Sequence, residues 1–240
     1  MTAEVAVVTG GSRGIGRSIV TRLAAAGFTV VSLDLRAPED ASFPARSLLV
    51  DVASAQQVED AFAVIAKEIG PVDVLINNAG LFSTLRRRPF WELDPAEWDH
   101  VMAVNVRSMF LCARAAAVRM PDGGRIVNLG STSVTFGMAE LLHYVTSKAA
   151  IVGMTRGLAR ELGSRRVTVN AIAPGLVTTE VTTGTISAEH RDRILQTQVL
   201  PEPITGDDIA NTVVYLCSDA ARHVTGQVVF VNGGAAMSAS

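Results

Sequence analysis

Short apolar runs alternate with stretches of helical period from one end of the chain to the other, and no other feature constrains the fold as much. The runs are Val5 to Val8, Phe28 to Leu33, Ser47 to Val50, Val72 to Ile76, Arg125 to Leu129, Val167 to Ala171 and Val228 to Val231. Strand, helix, strand in succession implies right-handed crossovers and a parallel sheet. Both faces of such a sheet are covered, so its strands read as unbroken apolar runs. The composition suits this, with 48% of residues hydrophobic, 18% charged and only 5% aromatic. Small and branched side chains dominate and can pack helices closely. The 240 residues are therefore expected to form one α/β domain, 1–240, with a doubly wound seven-stranded parallel sheet and helices on both faces.

Local signals place the helix ends. Gly14 to Ala26 has helical period, and Gly27 stands at its stop. Ser54-Ala55-Gln56-Gln57 reads as a capping box. In Asp94-Pro95-Ala96-Glu97 the Asp caps a helix and the Pro opens it. That helix is expected to run past Asn105 toward Arg119. Further helices are expected over Tyr144 to Leu162, and from Thr205-Gly206-Asp207-Asp208 to Leu216. The least regular stretch, 178–205, contains Gly184, Pro201 and Pro203. It reads as a substrate lid or, equally, as an irregular surface loop.

Bulk charge removes several classes of function. Lys and Arg number 21 against 23 Asp and Glu, a net charge of −2, so no basic field points to nucleic acid or a membrane surface. Arg86-Arg87-Arg88 is too short a run to change this and reads as solvated loop. Cys112, Cys217 and the four histidines match no metal spacing. No metal is expected, and the cysteines read as buried inert thiols of a reducing compartment. No apolar stretch reaches the ~18 residues of a membrane span, and the N-terminus shows no signal-peptide pattern. A cytoplasmic protein is expected.

Thr9-Gly10-Gly11-Ser12-Arg13-Gly14-Ile15-Gly16 joins the first strand to the first helix. The chain must turn sharply there, let a pyrophosphate reach the backbone and pack a helix onto a strand. Glycine meets each demand. The helix start adds free N–H groups and a positive dipole end. Gly10, Gly14 and Gly16 are spaced G-x-x-x-G-x-G rather than G-x-G-x-x-G, and no Lys-Ser/Thr follows. The turn therefore points to a dinucleotide, on a Rossmann-type sheet. Asp34 ends the second run, where a carboxylate binds the ribose hydroxyls of NAD and repels the 2′-phosphate of NADP. A plain strand-end turn is the other reading. Arg13 and Arg36 pull toward NADP, since either can reach a 2′-phosphate; Leu35 offers no such help. NAD is expected over NADP.

Tyr144-Val145-Thr146-Ser147-Lys148 puts a phenol and an ammonium four residues apart, on one face of a helix. A phenol titrates near 10, and bringing it near 7 takes about 3 units, or roughly 4 kcal/mol. A nearby ammonium pushes in that direction, and a phenol so tuned both takes and gives a proton. Alone the pair is a common surface motif. Its company is Ser131 at the end of the fifth strand, Asn105 in the preceding helix and the glycine turn, all at the strand ends where ligands bind in open α/β sheets. His143 points about 100° away from Tyr144, and Ser147 and Thr146 read as helix packing or surface.

Taken in order, these motifs resemble the classical short-chain dehydrogenase/reductase family from Val5 to Gly234. Asp51-Val52 resembles its adenine-contacting pair, although Asp51 also reads as a structural strand end. Asn77-Asn78-Ala79-Gly80 resembles its fourth-strand motif. Pro174-Gly175, followed by Val177 and Thr179, resembles the segment that holds the nicotinamide carboxamide. Asn105, Ser131, Tyr144 and Lys148 fall where its catalytic tetrad falls. The resemblance implies that Tyr144 exchanges the proton with the substrate oxygen and that Ser131 steadies that oxygen. It implies that Lys148 binds the nicotinamide ribose and acidifies Tyr144, and that Asn105 holds a water linking Lys148 to solvent. A homo-oligomer, commonly a tetramer, is implied too.

Substrate should lie among the loops over the nicotinamide: Leu81, Phe82, Ser131, Ser133, Phe136, Met138, Leu141, Tyr144 and the 178–205 segment. Most are apolar, so a small or medium secondary alcohol or ketone is expected. Reduction of a 3-oxoacyl thioester with NADPH is the alternative, and a non-catalytic dinucleotide binder a more distant one. An epimerase or dehydratase is disfavoured by the short stretch after Val231.

Overall fold

The computed structural model describes residues 3–184 and 187–237. Seven parallel strands form the main sheet. They are β1 (Val5–Thr9), β2 (Thr29–Asp34), β3 (Arg46–Leu49), β4 (Val74–Asn77), β5 (Arg125–Leu129), β6 (Thr168–Pro174) and, last in the chain, β9 (Val228–Val231). Their order is β3-β2-β1-β4-β5-β6-β9. The direction of winding reverses between β1 and β4, and a crevice opens at such a point beyond the carboxyl ends of the strands.

Strand pleating sends alternate residues to opposite faces. Ala6 and Val8 of β1 join a core with helices α1 (Gly14–Ala25) and α9 (Gly206–Cys217), through Ile19, Val20, Leu23, Ile209 and Val213. Val5 and Val7 join the opposite core, with α2 (Ala55–Glu68) and α4 (Ser108–Ala117), through Val58, Phe62, Ile65, Leu111 and Cys112. Phe62 is fully buried, and a side chain of that size contributes about 1.5–3 kcal/mol by burial. The long α6 (Leu142–Leu162) covers the same face near β6, where Ile151 meets Ala171. Cys112 and Cys217 are buried free thiols, which burial pushes up to about 12.

Most predicted helix ends hold. Gly27 takes φ +95° after α1, Asp94 Oδ1 accepts from Ala96 N at 2.9 Å, and Thr205 N donates to Asp208 Oδ2 at 2.7 Å. The box at Ser54 is only half made. Ser54 Oγ accepts from Gln57 N, but the Gln57 side chain turns away to Asp51 N at 2.8 Å.

The larger difference is the helix expected from Asp94 toward Arg119. It is α3 (Pro95–Met102), a widened π-helical turn over Ala103–Arg107, then α4. The widened turn carries Asn105 into the interior, and such turns gather at functional sites. Four short elements were not anticipated: α5 (Ser133–Phe136), α7 (Glu180–Thr183) and the parallel pair β7 (Val177–Thr178) with β8 (Ile204–Thr205). Within 178–205 lies also α8 (Ala188–Leu195). The β7–β8 pair ties the two ends of this stretch together.

Candidate active site

The glycine turn after β1 is a cradle of bare backbone. Gly10 and Gly14 take φ +65° and +57°, which side chains rarely tolerate. A Cβ on Gly16 would lie 2.0 Å from the Gly10 carbonyl oxygen. Asn78 braces the turn from behind, its Nδ2 donating to Thr9 O and Gly10 O at 2.9 and 3.0 Å. Thr9 Oγ1 accepts from the Asn78 and Ala79 amides. Asn78 thus spends its amide on the cradle itself. Arg13 gives α1 no side-chain cap; instead Gly14 N donates to Glu180 Oε1 at 2.6 Å.

Asp34 is fixed at the edge of this turn. One carboxylate oxygen accepts from Ser12 N at 3.0 Å, the other from Arg36 N at 3.2 Å, while Ser12 Oγ donates to Arg36 O. Leu35 is exposed. Asp51 Oδ1 accepts from Ala53 N at 2.9 Å in a local turn, and the Val52 side chain is packed in the core. Both readings of Asp51 therefore survive, because only one of its oxygens is spent on that turn.

The four candidate catalytic residues converge beyond β4 and β5. Asn105 is fully buried. Its Oδ1 accepts from Leu81 N at 2.7 Å and its Nδ2 donates to Ser147 Oγ at 3.0 Å. A Cβ on Gly80 would lie 3.3 Å from Asn105 Oδ1 and 3.7 Å from Lys148 Nζ. Lys148 Nζ donates to Leu129 O at 2.8 Å and stands 5.9 Å from the centre of the Tyr144 ring. Phe82 packs on that ring at 5.0 Å.

The electrostatics depart from the expectation. Burial pushes the Tyr144 phenol above its ordinary value, and the neighbouring Ser131 hydroxyl pulls it back only in part. Lys148 does not acidify it here, and burial brings Lys148 itself down to about 8. The cause is desolvation, which disfavours the charged form of either group.

The substrate loops divide. Phe136 is 65% exposed and Met138 half-buried, whereas Ser133 and Leu141 are buried. Thr132 N and Oγ1 both donate to Pro174 O, so the Ser131 loop is tied to the Pro174-Gly175-Val177-Thr179 segment. Arg87 and Arg88 are not simply solvated. Arg87 Nη1 donates to Ala139 O, and Arg88 pairs with Glu97, whose other oxygen is 3.4 Å from Nε2 of the sealed His143.

Sequence reading missed two features. Asn77 Nδ2 donates to Asn128 Oδ1, and Asn128 Nδ2 to Thr155 Oγ1, a buried polar chain beneath the site. The other is Glu180, which meets Gly14 across the fold. An Asn inside each of two apolar strands was the available signal for the first; nothing local signalled the second. Among the described residues no group of three or more metal-ligating side chains occurs, and no helix is long and apolar enough to cross a membrane.

Residues 10–236 match the family model described as enoyl-(acyl carrier protein) reductase. The chain is 36% identical over 244 residues to the 3-oxoacyl-[acyl-carrier-protein] reductase FabG of Staphylococcus aureus, covering 95% of this chain and 96% of that one. With FabG of Aquifex aeolicus identity is 34%, covering 98% of both. Among solved structures, a blue fluorescent protein from a metagenomic library, in complex with NADPH, is 38% identical with a TM-score of 0.89, covering 98% of this chain and 99% of that one. A short-chain dehydrogenase/reductase from Serratia marcescens is 34% identical with a TM-score of 0.90 and the same coverage. The chain belongs to the short-chain dehydrogenase/reductase family of oxidoreductases.

Proposed function

We propose that the protein transfers a hydride between a nicotinamide dinucleotide, NAD(H) in preference to NADP(H), and the carbon of a secondary alcohol or ketone. The observation that carries this reading is the buried Tyr144 phenol beside Ser131 and Lys148, at the same sheet edge as a cradle that only backbone can line. The residues fit a dinucleotide. The Gly10–Gly16 turn takes a backbone course that glycines at 10, 14 and 16 permit, packed against Asn78 and Ala79, and α1 opens beyond it. The fixed Asp34 carboxylate suits ribose hydroxyls and opposes a 2′-phosphate. Ser12, Arg13, Ile15, Leu35, Asp51, Val52, Ala79, Gly80, Pro174, Gly175, Val177 and Thr179 complete the proposed contacts.

When bound, the nicotinamide supplies or accepts the hydride. Tyr144 gives its proton to the carbonyl oxygen in reduction, or takes one from the alcohol in oxidation. Ser131 donates to the same oxygen and keeps it on the Tyr144 side. Lys148, fixed through Leu129, presents its amine toward the ribose. Asn105, clamped between Leu81 and Ser147, holds the backbone at the mouth of a proton path. The 178–205 stretch, closed at its base by β7 and β8, forms the lid of what we take to be one domain, 1–240. Exposed Phe110 on α4 and Val118 just after it support a homo-oligomer, with a tetramer as the proposed state, and the protein is proposed to be cytoplasmic.

A second reading, reduction of a 3-oxoacyl thioester, is favoured by the FabG relatives at 34–36% identity. One kinetic matrix decides between the two: NADH against NADPH, each with a 3-oxoacyl thioester and with simple ketones. The first reading expects the highest kcat/KM for NADH with a simple ketone. A maximum at NADPH with the thioester would replace it.

A further inference from the structure

We propose that Glu180 is an internal occupant of the phosphate cradle, latching the β7–α7 segment onto α1 until a dinucleotide displaces it. The inference rests on the dinucleotide reading above and adds an order of events to it. Gly14 N, the first amide of a twelve-residue helix, donates to Glu180 Oε1 at 2.6 Å across 166 positions of sequence. The contact is therefore made by the fold and not by a local turn. A carboxylate there presents what a phosphate presents: negative oxygen at the positive end of a helix whose own cap residue supplies none.

The rest of the segment lies over the same spot. A Cβ on Gly14 would lie 3.4 Å from Val181 Cγ2 and 3.9 Å from Thr179 Oγ1. Thr179 N donates to Thr182 Oγ1 at 2.9 Å, and Thr182 Oγ1 donates to Val177 O at 2.8 Å, so residues 177–182 hold together as one turn. β7 pairs with β8 at its root. Glu180 is exposed and can leave toward water without opening the core. Phosphate and carboxylate cannot share one amide, because two like charges at contact repel. Admitting the pyrophosphate therefore expels Glu180 and swings Thr179, proposed to meet the carboxamide, with it.

Titration of NADH, followed by its fluorescence, and of inorganic pyrophosphate tests this on the intact chain. Glu180→Gln and Glu180→Ala should each tighten both ligands about three- to tenfold, as expected for loss of one partly solvated charge-assisted hydrogen bond. Hydrogen exchange at 177–184 should speed up in the wild type when pyrophosphate is added, and should already be fast in Glu180→Ala. Thermal melts confirm that both variants are folded. Unchanged or weaker affinity in both folded variants, beside a wild type that binds NADH, overturns the latch alone. A wild type that binds neither NADH nor NADPH overturns the function reading itself.

Discussion

The cradle and the catalytic cluster sit at one edge of one sheet, yet they are built in opposite ways. The cradle is made of backbone from Thr9 to Gly16, and its shape follows from missing side chains: φ +65° at Gly10, φ +57° at Gly14, and a Gly16 whose Cβ would stand 2.0 Å from Gly10 O. The cluster is made of side chains brought from the π-helical turn, the end of β5 and the start of α6, and its character follows from burial. Steric change should break the first; removing one polar atom should break the second without moving anything. On the proposed reading, the chain fixes its ligand by geometry in the first region and tunes its proton by desolvation in the second.

The largest effect should come from Tyr144→Phe. Phe keeps the contact with Phe82 and the packing on Lys148, so only the hydroxyl is lost. General acid–base catalysis by a positioned group is worth about 10²–10⁴-fold, and kcat is expected to fall by about 10³-fold. Cofactor titration should give a Kd within about twofold of wild type, since the cradle is untouched. Substantial residual turnover would show that the proton comes from elsewhere.

Gly16→Ala attacks the other region. The methyl group would meet Gly10 O and Asn78 Nδ2, and overpacking of this kind costs about 1–3 kcal/mol. Dinucleotide affinity is expected to drop about 100-fold, with a lower melting temperature. A folded variant with normal affinity would mean that the turn does not cradle phosphate. Its contrast with Tyr144→Phe is the point: one loses binding and stability, the other turnover alone.

The same division explains what was legible from the amino acids. The seven strands were readable because each carries its own apolar run, and the cradle because four glycines stand within seven positions. Tyr144 and Lys148 were readable because helical spacing alone puts them on one face. The π-helical turn was not, since Ala103 to Arg107 has ordinary helix formers, and the bonds that mark it reach Leu81 and Ser147. Glu180 was not, because its partner lies 166 positions away. The sign of the Tyr144 shift was misjudged for a related reason: spacing shows that an ammonium is near, but not that both groups are sealed from water.

The smallest effect sharpens the electrostatic half of the comparison. Burial lowers Lys148 from 10.5 to about 8. The unfolded chain therefore binds more protons between these values, and stability rises with pH across that window. Below pH 8 the full cost applies, about 3 kcal/mol for a shift of this size. Lys148→Met removes the cost and leaves Leu129 O without its donor, a loss of about 1 kcal/mol. The variant, though inactive, is expected to be about 2 kcal/mol more stable than wild type at pH 7. That advantage should shrink steadily above pH 8 and be nearly gone by pH 10; Tyr144 titrates higher still and is common to both proteins. Denaturant melts at pH 7, 8.5 and 10 read this directly. An advantage that stays flat or grows with pH would mean that the amine is not desolvated, and the contrast between a steric cradle and a burial-tuned cluster would lose its second half.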